Sequence, residues 1–560
     1  MMGIGEAARD SRPQGLKPTF QPSLGGTAEA VPFPQISCEQ HCFLFTRLSR
    51  TFSTKIMALA ILAAFGTLLL SCSQPPDPNT LVMIIESSPT NLDPRVGLDG
   101  QSERIDELIF DALLTRDEHL SVQPGLAERW ESPDTLTYIF HLRHGVTFHD
   151  GRPLTSRDVK WTFDSLLSGK IRSSKAAVYR FVDHIEAPDD STVVFRMKEP
   201  AVTLLWNLSE GAIGIVPYGS LDEITQRPVG SGPFKFVRAE TDKEVVLERN
   251  ERYWGEVPRI ARVRFAVVPD ATTQALELRK GSADLAINSP MSPDTVATLA
   301  RDPSLIVQQS PGTRLAYLGF NLRDKILQDV RVRRAIAYAL DRKPMIEYLW
   351  RGNAQAARSI LPPQSWACNL DVPAYPHDSN AARKLLDDAG YPAVNGTRFH
   401  ITMKTSTDEN TRLMVAVMQQ QLRDVGIALD IRSFEFATFF ADVTHGAFQL
   451  YGLRWLGANE DPDIFEYAFH SAKFPPNGAN RGYYFNPRID ALIDQARRET
   501  KQETRKHLYA EVQRVLAEDV PSINLWYLDN VLVYSKRVQH VVTDPSGNYN
   551  FLKAAEIEDP

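Results

Sequence analysis

Residues 124–167 read PGLAERWESPDTLTYIFHLRHGVTFHDGRPLTSRDVKWTFDSLL. Apolar and polar residues alternate along residues 135–143, which predicts a strand with one buried face. A short apolar run at 146–148 lies between two glycine-containing turns and predicts a returning strand. Thr155 then caps a helix in which apolar residues such as Phe163 recur at three- and four-residue spacing. Strand, turn, strand and helix in succession are typical of a mixed α/β protein.

The same alternation continues through the rest of the chain. Thr411–Val425 is an amphipathic helix that leads through Gly426 into an alternating strand, and Ile523–Leu528 and Val531–Tyr534 are the final two strands. No period of about 20 to 50 residues repeats, which excludes solenoids and propellers. The pattern predicts α/β layers over several domains.

Composition restricts the class of protein. The chain has 560 residues, 43% of them hydrophobic and 23% charged, with a net charge of −7. These values are ordinary for a soluble globular protein and exclude a polytopic membrane protein or a wholly disordered chain. Four cysteines are too few for a disulfide framework in a chain of this length. The negative net charge argues against a nucleic acid partner.

The amino-terminal region predicts export. Residues 57–70, MALAILAAFGTLLL, follow three basic residues and are too short for a membrane span, which needs about 20 apolar residues. We expect a signal peptide over 47–71, with Leu69-Leu70-Ser71-Cys72 resembling a bacterial lipobox. Cys72 is then the lipidated residue and 72–79 a tether, the alternative being an ordinary signal peptide. Residues 1–46 are expected to be a non-structural leader from a start site placed too far upstream.

Five segments carry a resemblance to a known family. The chain resembles the extracellular solute-binding proteins of family 5, the oligopeptide- and dipeptide-binding lipoproteins of bacterial ABC importers, over about residues 80–550. The segments are the block at 124–167, GSGPFKFVRAETDKEVVLERNERYWG at 230–255, LGFNLRDKILQDVRVRRAIAYALDRKPMIE at 318–347, ARKLLDDAGYP at 382–392 and RWLGANEDPDIF at 454–465.

The resemblance implies an α/β fold of the periplasmic-binding-protein type (cluster C), with two lobes, a hinge between them and an extra inserted domain. Hinges are expected near Pro311–Tyr317 and Val520–Ile523. The implied division is lobe I at 80–115, 201–310 and 521–560, the inserted domain at 116–200, and lobe II at 311–520.

The resemblance also implies the function. The implied protein is a monomeric lipoprotein in the periplasm or at the cell surface, held to the membrane through Cys72. It captures a peptide-like solute between its lobes and delivers it to the transmembrane subunits of an ABC permease. Alternatives are a nickel chelate, haem or an oligosaccharide on the same scaffold, and, more remotely, a secreted hydrolase. No nucleophile elbow, phosphate-binding loop or His-Glu-x-x-His motif occurs, so we expect neither an enzyme nor a cofactor.

Candidate ligand contacts lie where loops are expected to face the cleft. Asn91 and Asp93 follow the first strand, a usual position for ligand contacts in α/β folds. Trp455 offers a flat apolar surface for stacking, with a core tryptophan as the alternative. Arg314 suits a ligand carboxylate, the alternative being a solvated surface arginine.

The segment after Trp455 contains the other candidates. Asn459 offers a donor and an acceptor, as a peptide backbone requires. Glu460 and Asp461 are either ligand contacts or acids that cap a turn. Family members that bind free peptide amino termini place an aspartate three residues after the matching tryptophan, where this chain has Ala458. The solute is then amino-blocked, cyclic or of another class, unless Glu460 or Asp461 supplies the missing charge.

Two groups of residues resemble parts of metal sites. His141, His144, His149 and Asp150 follow a strand and a turn rather than a ligand spacing, and Cys38, His41 and Cys42 form half of a zinc pattern without a second half. We therefore expect no metal site.

Overall fold

One large mixed sheet runs through most of the chain in this computed structural model, which describes residues 79–209, 213–457 and 459–558. The predicted leader, the signal peptide, Cys72 and residues 72–78 of the tether lie outside the described residues, as does Ala458. No helix in the described part of the chain is long and apolar enough to cross a membrane.

The strands in the described residues are β1 Thr80–Ile85, β2 Leu114–Arg116, β3 Val122–Pro124, β4 Ala127–Asp134, β5 Thr137–Leu142, β6 Val182–Asp189, β7 Thr192–Met197, β8 Phe234–Glu240, β9 Glu244–Arg249, β10 Arg262–Val267, β11 Leu285–Ile287, β12 Leu305–Phe320, β13 Ala354–Ala356, β14 Phe399–Ser406, β15 Ile427–Phe434, β16 Leu450–Trp455, β17 Ser522–Ser535, β18 Val538–Gln539 and β19 Glu556–Ile557.

The α-helices in the same residues are α1 Gly100–Ile109, α2 Ser156–Leu167, α3 Leu204–Asn207, α4 Ala271–Lys280, α5 Pro293–Leu299, α6 Val330–Ala339, α7 Arg342–Leu349, α8 Ser379–Asp388, α9 Glu409–Arg423, α10 Phe436–Thr444, α11 Ile464–Phe469, α12 Pro487–Arg498 and α13 Gln502–Asp519. Short 3₁₀ turns lie at Ser174–Tyr179, Asp222–Thr225, Ser471–Lys473 and Asn550–Lys553.

Two long antiparallel strands connect the halves of the large sheet. Its order is β15-β14-β16-β12-β17-β11-β1-β10-β9-β8, with β13 pairing to β17 outside this path. We call β8, β9, β10, β1 and β11 the first strand group, β14, β15 and β16 the second strand group, and β12 and β17 the crossing strands. β12 pairs with β16 of the second group, β17 pairs with β11 of the first group, and the two crossing strands pair with each other, so the sheet is continuous across both halves.

The pairing locates where each crossing strand passes between the groups. In β12 the register shifts between Ser310 and Arg314. Residues 522–528 of β17 pair with residues 314–319 of β12, and residues 526–528 also pair with β13. Pairing with residues 305–310 of β12 begins at Asn530. The expectation of two final strands is therefore wrong, since β17 is one strand. The lobe boundaries stay a prediction, but this pairing favours a second crossing point at 528–530 rather than at Val520–Ile523.

The block at 124–167 contributes to a separate four-stranded sheet, β4-β5-β7-β6, packed against α2. The predicted strand is confirmed as β5, and Thr155 caps α2 in a capping box with Asp158. The predicted return strand at 146–148 is wrong, because only Thr147 makes an isolated bridge, and β4 and β7 are the neighbours of β5 instead. Leu136, one of the apolar positions of the strand predicted over 135–143, lies before β5 and is 40% exposed.

Aromatic packing stabilises this small sheet. Phe140, Phe163 and Phe195 are fully buried, with edge-to-face contacts at centroid distances of 5.5 Å between Phe140 and Phe195 and 5.3 Å between Phe163 and Phe195. Burial of each such ring contributes about 1.5–3 kcal/mol. The cluster that contains them runs from Leu113 to Ile215, so this region has a core of its own.

Candidate ligand-binding site

A cavity of ≈ 250 Å³ lies where the two strand groups meet. Asn288 to Met291 follow the end of β11 in the first group, and Arg454 lies near the end of β16 in the second. The crossing strands supply Arg314 and Asp529 to the same lining. Ligands of α/β proteins bind outside the carboxyl ends of strands, where this cavity lies.

Arg314 is held in the lining by oxygens of neighbouring residues. Its Nη2 donates to Asn288 Oδ1 at 2.9 Å and to the Asp529 carbonyl oxygen at 3.0 Å. Burial lowers the pKa of Arg314 to about 10, which leaves the guanidinium charged at neutral pH. Arg314 is therefore a partly buried cation at a cavity and not the solvated surface arginine of the alternative interpretation.

A second cation, which sequence reasoning missed, lines the same cavity. Arg454 Nη2 lies 3.6 Å from Asp408 Oδ1, and its guanidinium lies 6.0 Å from the centroid of the Trp350 ring. Arg454 immediately precedes Trp455, and successive strand residues point to opposite faces of a sheet. The alternation therefore separates the two side chains and brings Arg454 to the side of Arg314.

Trp455 packs in an aromatic cluster on the other face of the sheet. Its ring stacks on Tyr317 at a centroid distance of 5.6 Å and an angle of 12°, and the Arg481 guanidinium lies 5.4 Å from its centroid. Trp455 is 9% exposed, whereas its neighbours Leu456 and Tyr467 are 69% and 44% exposed. Trp455 thus contributes mainly to packing, and the exposed apolar surface here belongs to the residues around it.

Asn459 ties the loop after β16 to its surroundings. Its Nδ2 donates to the carbonyl oxygens of Thr313 at 2.9 Å and Ile360 at 3.1 Å, and its side chain is fully buried. Its Oδ1 is buried without a hydrogen-bond partner. The amide therefore fixes the loop beside the β12 irregularity.

Glu460 is engaged by residues from distant parts of the chain. Arg116 Nη1 donates to Oε2 at 3.0 Å, and Thr313 Oγ1 donates to Oε1 at 2.7 Å. The Arg116 guanidinium also lies 4.5 Å from the centroid of the Trp206 ring. Burial raises the pKa of Glu460, and the charge of Arg116 and the hydrogen bond from Thr313 act against that rise. This carboxylate therefore already has a cationic partner.

Asp461 is half-buried and accepts a hydrogen bond at 2.7 Å from the backbone N–H of Asp463. Burial raises the pKa of Asp461 to about 6, and the charge of Asp463 acts in the same direction. Asp463 itself pairs with Arg497 at 2.6 Å. These contacts match the turn-capping alternative for this acidic segment.

The loop after β1 is stabilised by its own polar residues. Asp93 Oδ2 lies 2.7 Å from Arg95 Nη2, and both side chains are almost completely buried. Asn91 Oδ1 accepts from the Asp93 backbone N–H at 2.8 Å. The structure does not support Asp93 as a ligand contact, because a ligand would have to break this pair, and the Asn91 oxygen likewise closes a local turn.

The histidines near 141–149 take part in local contacts. His149 lies between backbone atoms, with Nε2 3.0 Å from Gly232 O, and burial lowers its pKa to about 4. His141 Nε2 lies 3.0 Å from Glu131 Oε1. Nowhere in 79–209, 213–457 or 459–558 do three or more His, Cys, Asp or Glu side chains form a group that fits a metal ion.

Comparisons with known proteins agree with this architecture. The model of the bacterial extracellular solute-binding proteins, family 5 Middle, matches residues 121–475. A probable di/tripeptide-binding protein 5 of Pseudomonas aeruginosa (strain UCBPP-PA14) is 30% identical over 88% of this chain and 99% of its own length. Heme-binding protein A of Haemophilus influenzae is 28% identical over 88% of this chain and 98% of its own length.

A solved structure gives the same result for the fold. The crystal structure of NikZ from Campylobacter jejuni, in complex with Ni(L-His), superposes with a TM-score of 0.71 at 25% identity, covering 85% of this chain and 99% of NikZ. The two-lobed α/β architecture that the sequence predicts is thereby confirmed.

Proposed function

The chain belongs to the bacterial extracellular solute-binding proteins of family 5, and on that premise we propose that it captures a peptide-like solute between its two halves and delivers it to the transmembrane subunits of an ABC permease. The observation that carries the proposal is the cavity between the strand groups, lined from both halves and by the crossing strands. A ligand that touches both halves favours the closed arrangement by its differential affinity for it.

The solute we propose has no free α-ammonium group. Position 458 is alanine, where relatives that bind free peptide amino termini have aspartate. Glu460 is occupied by Arg116 and Thr313, and Asp461 accepts from the backbone of its own turn. A buried ammonium without a counter-charge would lose a charge-assisted hydrogen bond of about 1.5–3 kcal/mol. An amino-blocked or cyclic peptide avoids that loss.

The contact we propose in this cavity is Arg314, whereas Trp455 packs on the other face of the sheet and the Asn459 side chain is fully buried. Glu460 acts instead between the two halves of the protein, and Asp461 within its turn. No catalytic step is part of the proposal, because none of these groups is arranged as a nucleophile with a general base.

We also propose a monomer attached to the membrane through acylated Cys72, outside the cytoplasm. Several acyl chains, each CH₂ contributing about 0.8 kcal/mol, would make the attachment stable. Mass spectrometry of the native protein tests this part, with an acyl mass on Cys72 as the expected result and an unmodified cysteine as the contrary one.

A non-peptide solute is the second candidate, favoured by the similarity to a haem-binding protein and to NikZ. Calorimetry separates the candidates. The purified protein should bind N-acetylated short peptides and neither haem nor a nickel–histidine chelate. The reverse preference would replace the first candidate by the second.

A further inference from the structure

A second cavity, of ≈ 240 Å³, lies apart from the cavity between the strand groups. Its lining comes from residues 337–376 and 465–524, and the two cavities have no lining residue in common. Helices α6, α7, α11 and α13 and the beginning of β17 contribute to its walls. The proposed function makes no use of this space.

The inner part of the second cavity is apolar and buried. Its buried apolar residues are Ile360, Phe465, Phe469, Leu516, Val520 and Ile523. Pro373, Ala374 and Pro376 of the same lining are exposed, so the cavity opens to solvent beside this segment. Sites for small molecules combine apolar walls with a few placed polar groups, and this lining has that composition.

Arg342 brings a half-buried cation to the apolar lining. Its Nη1 donates to the carbonyl oxygens of Ala357 and Asn524, both at 3.0 Å, and its Nη2 donates to the Tyr375 carbonyl oxygen at 3.3 Å. These bonds use three of the five N–H groups of a guanidinium. One N–H on Nε and one on Nη2 are thus left for a ligand.

The positive charge of this lining is not balanced by an acid. Arg358, which is exposed, is the other charged residue of the lining, and no Asp or Glu of the described residues lines the cavity. Burial lowers the pKa of Arg342, and the charge of Arg358 acts in the same direction. Two guanidinium groups that repel each other favour an anion as their neighbour.

The two buried polar side chains of the lining already have partners. Ser359 Oγ donates to Gln513 Oε1 at 2.7 Å. Gln513 Nε2 donates to the carbonyl oxygens of Ala367 at 2.8 Å and Tyr509 at 2.9 Å. A ligand therefore gains little from these groups, and Arg342 is the group that would orient it.

We propose that this cavity is a second binding site and takes a small carboxylate with an apolar body, the carboxylate facing Arg342 and the body lying against Phe465, Phe469 and Leu516. The inference goes beyond the proposed function and does not depend on it, because the two cavities have separate linings.

The volume limits the size of this ligand. A cavity of about 150 Å³ holds a benzene ring. The ≈ 240 Å³ measured here leaves space for a ring or a short aliphatic chain together with a carboxylate. An aromatic and an aliphatic carboxylate share this chemistry, so the test includes one of each.

The test is calorimetry with two matched pairs, 3-phenylpropionate with its amide and hexanoate with its amide. The wild-type protein should bind at least one carboxylate about ten- to hundred-fold more tightly than the matched amide, because the neutral amide loses the charge-assisted bonds to Arg342. The pair with the larger preference identifies the body as aromatic or aliphatic. Acetate, which has the charge without the apolar body, should not bind measurably.

Arg342→Gln should remove most of the preference for the carboxylate. Because Arg342 also holds three segments together through their carbonyl oxygens, Arg358→Gln, at an exposed position, is the second variant and should reduce the preference without a folding defect. Arg301→Gln is the matched control, since Arg301 is exposed on a separate loop, and it should leave the preference unchanged.

Equal affinity of the wild type for carboxylate and amide in both pairs, or no binding at all, would overturn this inference. An unchanged preference in both Arg342→Gln and Arg358→Gln would do the same. Loss of the preference in Arg454→Gln would place the carboxylate in the other cavity and also overturn it. N-acetylated peptides, which test the proposed function, are titrated separately, so failure of one proposal is distinguishable from failure of the other.

Discussion

Arg116 and Glu460 connect two parts of the chain that are 344 residues apart, through a contact of 3.0 Å between Nη1 and Oε2. Both side chains are largely buried, with exposed fractions of 13% and 5%. Thr313, at the irregularity of a crossing strand, donates to the other carboxylate oxygen. The pair therefore links the β2–β3 hairpin to the loop after β16 beside a crossing strand, and we predict that it favours the closed arrangement that a ligand would require.

Replacing Glu460 by glutamine should favour the open form. The variant keeps the size of the side chain but loses a charge-assisted bond, so closure should become less favourable by about 1–3 kcal/mol. Small-angle scattering of the solute-free protein should then report a larger radius of gyration. Glu503→Gln, at an exposed position of α13, is the control. Identical scattering from wild type and Glu460→Gln would show that the pair has no part in closure.

Asp461 should make stability depend on pH in a definite direction. Its pKa is raised from its ordinary 3.8 to about 6, so the folded protein holds the proton more tightly than the unfolded chain. This group therefore destabilises the fold above about pH 6, and the penalty is relieved as the pH falls toward about 4. Relative to Asp461→Asn, the wild-type free energy of unfolding should rise by about 1–3 kcal/mol over that interval.

Denaturant unfolding of both proteins at several pH values measures this difference. Asp371→Asn, at an exposed loop position, should give a pH profile parallel to that of the wild type. A parallel profile for Asp461→Asn as well would contradict the assignment.

Cys368 should be an unreactive free thiol in the folded protein. Burial raises its pKa to about 12, and its Sγ donates to the Leu361 carbonyl oxygen at 3.4 Å. Since the thiolate is the nucleophile, labelling by a maleimide at neutral pH should be slow until the protein unfolds. Reductant should not change the melting temperature. Rapid labelling of the native protein would show that the loop around Cys368 opens readily.

Position 458 should decide whether a free amino terminus is accepted. In the wild type, acetylation of a bound peptide should hardly weaken binding. Ala458→Asp should favour the free amine by about 1–2 kcal/mol, which is roughly ten- to thirty-fold in affinity. Calorimetry with matched free and acetylated peptides on both proteins measures the effect. A wild-type protein that strongly prefers the free amine would point to Asp461 as the substitute charge.

Local signals in the sequence predicted the elements that depend on local contacts. The helix cap at Thr155 is confirmed, and its hydrogen bonds join residues that are close in sequence. The division of β17 into two strands failed at Asp529-Asn530, which looks like a polar break. Asn530 is instead buried, donating to the carbonyl oxygens of Asp544 and Pro545. Asn530 is polar because its side chain makes these hydrogen bonds, and not because the strand ends there.

The candidate site was predictable only in part, because some of its contacts join residues that are far apart in the sequence. The segment from Trp455 to Asp461 stands out by its composition, but the partner of Glu460 is 344 residues away and no local pattern identifies it. Arg314 was recognisable as a possible carboxylate contact. Trp350, which lines the same cavity, was not, because it follows α7 in a loop whose approach to the crossing strands depends on the pairing of β13 with β17.

The most direct test of the account is native mass spectrometry of the freshly purified protein, followed by identification of the solute that it releases on denaturation. The account predicts a short peptide-like molecule with a blocked or absent α-amino group. Haem, a nickel chelate, an oligosaccharide or a peptide bound through a free amino terminus would contradict it.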